Sequence, residues 1–239
     1  MKLGIMQPYF VPYIGYWQLI HAVDEYVVYD DVNYIKGGWI NRNRILVNGS
    51  AKYLSLELQG ASPNKLIKEI SLTSNSKHIS KLLKTIDQSY RKAPMFEEVF
   101  PLVEAILTQE EKNLAQFLYY SIDRFCSYMN IETKIHLSSD IGKDGMLRGQ
   151  EKVIDICKKM QADTYINAIG GIELYSSKSF RDSGIELLFL RPSMELQYKQ
   201  LGDAFVPNLS IIDVLMFTPR ERIPSMLESY DLIGSSNDG

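Results

Sequence analysis

Leu3-Gly4-Ile5-Met6-Gln7-Pro8-Tyr9-Phe10-Val11-Pro12-Tyr13-Ile14-Gly15-Tyr16-Trp17, followed by Tyr26-Val27-Val28-Tyr29-Asp30-Asp31, is the stretch that decides the fold. Residues 3–6 read as a short buried strand. A loop of aromatics and prolines follows, and Gly15 lets the backbone turn into a helix over 16–22. Residues 26–29 read as a second strand. They are β-branched and aromatic rather than alternating, as in a strand covered on both faces. In open α/β sheets built from such units, ligands sit beyond the carboxyl ends of the strands. Gln7 stands at the end of the first strand, and Asp30 and Asp31 at the end of the second.

Outward from this unit, 45–47 and 52–58 around Asn48-Gly49 read as a hairpin, since Asn-Gly between apolar runs signals a two-residue turn. Residues 67–72 read as a further strand. From Lys77 the apolar period changes to that of helices, over 77–90, 96–107 and 113–129. The α/β pattern then resumes: strand 134–137, helix 149–159, strand 164–167, helical turn 179–182 and strand 186–190. Terminal helices are expected at 210–217 and 221–230. The order predicts an α/β fold with a mostly parallel, Rossmann-like sheet and right-handed crossovers, interrupted by a helical block. The expected units are 1–76, 77–130 and 131–239, with the first and last forming one compact domain.

Bulk properties narrow the classes. The chain has 239 residues, 45% hydrophobic and 23% charged, so a core of ordinary size is expected. A net charge of −3 gives no whole-chain basic field to hold nucleic acid. Cys126 and Cys157 sit among apolar neighbours and read as buried free thiols, and His21, His78 and His136 are scattered, so no metal-ligand set is written here. No stretch approaches the roughly 20 apolar residues of a membrane span, and no basic-then-apolar leader opens the sequence. A cytoplasmic protein is expected, with a frayed polar tail over 234–239.

Five constellations could carry chemistry. Gln7 offers an amide that donates and accepts, while Tyr9, Tyr13, Tyr16 and Trp17 offer flat faces on a proline-stiffened loop; the plain alternative is a rigid turn. Asp30-Asp31 suits a metal, a ribose hydroxyl pair or an amine to be oriented, or caps a turn. In Trp39-Ile40-Asn41-Arg42-Asn43-Arg44 the arginines share one face of an extended segment and the asparagines the other. Their planar forks fit phosphate or carboxylate, and Lys36-Gly37-Gly38 adds a flexible cationic loop; the alternative is a solvated strand paired with Asp30 and Asp31. Ser138-Ser139-Asp140 through Arg148-Gly149-Gln150 places hydroxyls and a helix N-terminus at a strand end. Tyr165-Ile166-Asn167 with Gly170-Gly171 and Tyr175 does the same, or is a simple strand-to-helix turn. Ser210-Ile211-Ile212-Asp213 reads as a helix start, with Asp213 a cap or first-turn charge or, alternatively, a group that reaches the site.

Taken together, Gln7-Pro8-Tyr9, Pro12 to Tyr16, Asp30-Asp31, the Trp39 to Arg44 block, Ser138-Ser139, Gln150, Tyr165, Gly170-Gly171, Tyr175 and Leu209 to Asp213 resemble the WbqC-like family, from about Leu3 to Phe217. Many relatives begin His-Gln-Pro, and here Met6 takes the His place. The resemblance implies a role among bacterial surface-polysaccharide (O-antigen) genes, as an amino-acyl (glycine-type) or acyl transferase acting on a nucleotide-linked amino sugar. On that reading Asp30, Asp31 and Gln7 form the catalytic set. Tyr9, Tyr13, Gly15, Tyr16, Lys36, Trp39, Asn41, Arg42, Asn43, Arg44, Ser139, Gln150, Asn167, Gly170, Gly171 and Tyr175 bind substrate. The acyl donor is open between a free amino acid with ATP, a carrier-protein thioester and a charged tRNA, and a homo-oligomer is left open. The opening unit also looks like that of nucleotidylyltransferase-type folds, which would bring in Mg²⁺, but Tyr16 follows Gly15 where that turn needs histidine. A third reading is a non-catalytic nucleotide-sugar-binding or scaffold protein of a glycan-assembly complex.

Overall fold

The computed structural model describes residues 1–194, 196–202 and 204–234. The opening unit forms as β1 (Lys2–Met6), α1 (Ile14–His21) and β2 (Glu25–Val28). A hairpin follows, β3 (Arg42–Val47) with β4 (Ser50–Ser55), then the short pair β5 (Leu58–Gln59) and β6 (Ser71–Leu72). Asn48 and Gly49 both take positive φ, 50° and 71°, as the tight hairpin turn demands. Three helices come next: α2 (Ser76–Tyr90), α3 (Phe96–Leu107) and α4 (Leu114–Met129). The rest is β7 (Lys134–Leu137), α5 (Gly149–Lys159), β8 (Thr164–Ala168), α6 (Ser177–Asp182), β9 (Glu186–Pro192), α7 (Ile211–Phe217), α8 (Ile223–Leu227) and β10 (Tyr230–Gly234).

Six strands form a mostly parallel central sheet in the order β10-β9-β8-β1-β2-β7. Only β10, on the edge, runs antiparallel to its neighbour. Successive side chains point to opposite faces, and both faces are buried. Leu3, Ile5, Val27, Tyr165 and Phe189 pack with Val153, Ile156 and Cys157 of α5 and Phe180 of α6. Tyr26, Val28, Ile166 and Leu190 pack with α1, α4, α7 and α8. From β1 the chain steps through α1 to β2, and from β8 through α6 to β9 on the other side, so the direction of winding reverses between β1 and β8. Loops leaving such a reversal diverge and open a crevice beyond the strand ends.

Two expectations are corrected. Residues 67–72 are not one strand: a 3-10 turn, Ile67–Glu69, precedes the two-residue β6. The Glu69 carboxylate accepts the Leu66 N–H at 2.8 Å and tightens the chain into that turn. The helix expected over 221–230 ends at Leu227, and the chain returns as β10 along the open edge of β9, where Arg191 and Asp231 pair at 3.1 Å. Gly234 of the expected tail closes β10, and residues 235–239 lie outside the described residues. Among the described residues no helix is long and apolar enough to cross a membrane.

One buried carboxylate ties the periphery together. Asp213, fully buried in the first turn of α7, accepts from Tyr90 Oη at 2.8 Å, Tyr198 Oη at 2.7 Å and Gln200 Nε2 at 2.7 Å. Tyr90 Oη in turn accepts the Leu46 N–H at 2.9 Å. The network joins α7, α2, β3 and the connection between β9 and α7. Burial raises the Asp213 pKa, against the pull of its three donors. Asp213→Ala leaves two phenols and an amide without their acceptor, and should cost roughly 2–4 kcal/mol in urea denaturation. The folded protein holds this proton more tightly than the unfolded chain. The advantage of wild type over the variant should therefore shrink as pH rises from the ordinary value of 3.8.

Candidate functional site

The loop after β1 is fixed from several sides. Phe10 donates its N–H to Trp39 O at 3.0 Å, and the Asn43 amide donates to Phe10 O at 3.1 Å. Pro12 O accepts from Trp17 Nε1 at 3.0 Å and from the Ile211 N–H at 2.9 Å. Between the prolines, Val11 sits at φ 39°, a left-handed conformation that a β-branched residue adopts only when its surroundings impose it. Tyr16 and Trp17 are buried scaffold, with Tyr16 Oη donating to Gln7 O at 3.1 Å. Tyr9 and Tyr13 are half-buried against the core, and burial raises the pKa of both phenols. Gly15 lets the Tyr13 ring rest against the backbone, since a Cβ there would lie 2.6 Å from it.

Tyr9, Pro12, Tyr13, Trp39, Asn43, Arg44 and Asn208 surround a hollow of about 320 Å³. A second hollow of about 360 Å³ adjoins it, sharing Tyr13 and Asn208 and running to Ile169 past the end of β8. The two arginines divide their work. Arg42 donates Nε to Gly38 O at 3.2 Å and Nη2 to Gly37 O, latching the glycine loop. Among the described residues the Arg44 side chain makes one long bond, Nη2 to Asn208 O at 3.4 Å, and its buried Nε has no partner. The asparagines are scaffold: Asn41 joins Tyr34 Oη and Leu56 O, and Asn43 joins Phe10 O and the Arg44 N–H. Lys36 is exposed.

The acids gather elsewhere, at the ends of β2 and β7. Asp30 is buried and accepts the Ser139 N–H at 2.9 Å. Asp31 accepts from Ser138 Oγ at 2.7 Å and pairs with Lys143 at 2.8 Å and Lys152 at 3.2 Å. Burial alone would raise the Asp31 pKa, but Lys143, Ser138 and Lys152 outweigh it and hold it below the ordinary value. The Lys152 pKa falls, first through burial and then through Lys143 and Arg148, against the attraction of Asp31. Its ammonium also lies 5.0 Å from the Tyr29 ring centre. With two ammonium groups on it, Asp31 does not fit a divalent cation. Among the described residues no group of three or more His, Cys, Asp or Glu is placed to hold a metal.

The remaining residues singled out in the sequence lie at the start of α5 and around the end of β8. Gln150 Oε1 accepts the Ser176 N–H at 2.6 Å, ahead of α6. Asn167 accepts the Ala168 N–H at 2.8 Å, and Gly171 makes room for its amide, since a Cβ there would be 2.6 Å from Nδ2. Tyr175 packs edge-on against Tyr165 at 5.7 Å, and Gly170 faces open space. Tyr29 and Tyr175 pack with the core under α5 and α6, whereas Tyr9 and Tyr13 pack with the core on the other face. The structure thus gathers the sequence candidates into two clusters, and the acids do not line the tyrosine-arginine hollow. Among the described residues no ion pair joins Arg42 or Arg44 to Asp30 or Asp31. Lys143, Lys152 and Asn208 escaped the sequence reading. Lys152 was within its reach, because it shares the buried face of α5 with Val153, Ile156 and Cys157. Cys126 and Cys157 are buried and free, and burial pushes the Cys157 thiol up to about 12, which leaves it protonated and inert near neutral pH.

Comparison with known proteins gives two findings. The profile of the WbqC-like protein family matches residues 7–224. Uncharacterized protein Rv1507c of Mycobacterium tuberculosis (strain ATCC 25618 / H37Rv) is 27% identical over 217 residues, covering 90% of this chain and 92% of its own length. No solved structure matches.

The Asp31 geometry sets a pH dependence opposite in sign to that of Asp213. A depressed folded pKa contributes stability above the unfolded value and loses it as pH falls through the folded one. Asp31→Asn should therefore be less stable than wild type at pH 7. Equilibrium denaturation at descending pH should show that deficit closing below the ordinary value of 3.8.

Proposed function

This chain belongs to the WbqC-like family, and from that premise we propose that it transfers an amino-acyl or acyl group onto a nucleotide-linked amino sugar for surface polysaccharide. The observation that carries the reading is Arg44: a guanidinium on the wall of a sugar-sized hollow whose side chain makes, among the described residues, one long hydrogen bond, Nη2 to Asn208 O at 3.4 Å. The Nη donors of such a guanidinium fit the oxygens of a phosphate. The amino sugar occupies the hollow against Tyr9 and Tyr13, with its diphosphate on Arg44. The adjoining hollow, walled by Ile169, Tyr198, Phe205 and Pro207, receives the acyl group.

Tyr13 lines both hollows, so the two reactants meet at its ring. The sugar amine attacks the acyl carbonyl carbon. The bond to the donor's leaving group breaks as the amide forms, and the proton lost by the amine goes to that leaving group. Tyr13, kept protonated by burial, donates a hydrogen bond to the carbonyl oxygen as it becomes negative. Holding the partners side by side supplies the larger part of the acceleration. Asp31, paired with two lysines, serves in this reading to order the edge of β2 and β7 rather than to take the proton. The finer fold assignment, a Rossmann-like sheet whose two α/β halves form one unit carrying the helical block 77–130, and a cytoplasmic location belong to the same proposal.

Incubating the protein with UDP- or dTDP-linked amino sugars and an acyl thioester should add the mass of the acyl group to the sugar and release free thiol. No mass gain with any donor would retire the transferase reading. Arg44→Ala should weaken nucleotide-sugar binding roughly tenfold to a hundredfold, the range of a lost charge-assisted hydrogen bond. Arg42→Ala should chiefly lower the melting temperature. Equal affinity in wild type and Arg44→Ala would remove the anion anchor.

A further inference from the structure

The outer face of the β3–β4 hairpin carries a row of groups that runs on from the wall of the hollow. Arg42 and Arg44 are two apart on β3, and Tyr53 stands opposite Arg44 in register, so their side chains share one face. Trp39 joins them from the preceding loop, its ring 6.4 Å from that of Tyr53 and inclined by 34°. The Arg42 guanidinium lies 4.5 Å from the Tyr53 ring centre and that of Arg44 5.8 Å from the Trp39 ring centre. Both rings remain open to solvent, Tyr53 at 57% and Trp39 at 39% exposure. Each guanidinium holds its ring in place by cation–π attraction, so the surface is ordered before any ligand arrives.

We propose that Trp39 and Tyr53 form a stacking subsite for the base of a nucleoside diphosphate, a step that rests on the nucleotide-sugar reading of the adjoining hollow. Continuity supports it: Trp39 and Arg44 belong both to the row and to the wall of the hollow. Size supports it as well. At about 320 Å³ the hollow is at the low end of ligand sites, which run from about 300 to 1,000 Å³. It has room for one sugar ring but not for the nucleotide attached to it. A diphosphate anchored on Arg44 therefore sends its base out over the exposed rings. Stacking on such rings tolerates any base, because every base presents a π-face.

The chain's two tryptophans make the test direct, since Trp17 is fully buried and Trp39 is exposed. The protein is titrated with UDP, dTDP, ADP and GDP, and with inorganic pyrophosphate and free glucosamine as controls. A nucleoside diphosphate should quench Trp39 emission, and pyrophosphate should bind without quenching. By calorimetry, Tyr53→Ala should weaken that nucleotide roughly tenfold and leave pyrophosphate affinity unchanged, and Trp39→Ala, whose ring also touches Arg44, should weaken the nucleotide by more than it weakens pyrophosphate. Trp39→Phe should keep most of the affinity while losing the fluorescence signal. Unchanged melting temperatures check that these variants fold. Nucleotides that bind no tighter than pyrophosphate, or alanine variants that bind them as wild type does, would overturn the base subsite and leave the anion anchor standing. Quenching by glucosamine as strong as by any nucleotide would also overturn it, in favour of a sugar platform. Failure of every phosphate ligand would overturn both this subsite and the nucleotide-sugar reading.

Discussion

Burial of β1, β2 and β8 on both faces governs where this protein can do chemistry. Leu3, Ile5, Val27 and Tyr165 fill one side of the sheet, and Tyr26, Val28 and Ile166 fill the other. No polar group can leave such strands sideways without losing its hydrogen bonds. Polar side chains and free backbone groups emerge only where the strands stop. The winding reversal between β1 and β8 spreads the loops there, and Gln7, Asp30, Asp31 and Asn167 are all set at those ends by this constraint.

The same constraint separates the candidates. Each face has its own core, so side chains at the strand ends lean toward one core or the other. Tyr9 and Tyr13 lean toward the larger core and, with Arg44 and Asn208, enclose a hollow. Tyr29 and Tyr175 lean toward the smaller one, beside the Asp31, Lys143 and Lys152 cluster. The lysine cluster is internally satisfied, with ammonium, hydroxyl and carboxylate facing one another. The hollow is not, since Arg44 Nε has no acceptor among the described residues. That difference in satisfaction, rather than the presence of charge, is why the proposed ligand site is set at the hollow and not at the lysines.

Asp213 connects this edge to the rest of the molecule. Through Tyr198 and Gln200 it pins the connection between β9 and α7, which supplies Asn208 to the first hollow and walls to the second. Through Tyr90 it reaches Leu46 in the hairpin that bears the arginines. A burial cost at one carboxylate is thereby tied to the shape of both hollows.

The sequence by itself determined the strand-helix-strand opening, the Asn48-Gly49 turn, the helical stripe of α2 to α4 and the family, because period, turn chemistry and a dense local motif are written in consecutive residues. It also determined that the asparagines and arginines of the Trp39 to Arg44 block face opposite ways. Tertiary structure alone decided that Arg42 spends itself on Gly37 and Gly38 while Arg44 does not, and that Asp31 meets two lysines instead of the arginines. It alone decided that the last strand returns to the sheet edge. These outcomes depend on which distant carbonyl, ammonium or open edge comes within hydrogen-bond reach. That is a property of the assembled sheet and its two cores, and no local pattern of residues encodes it.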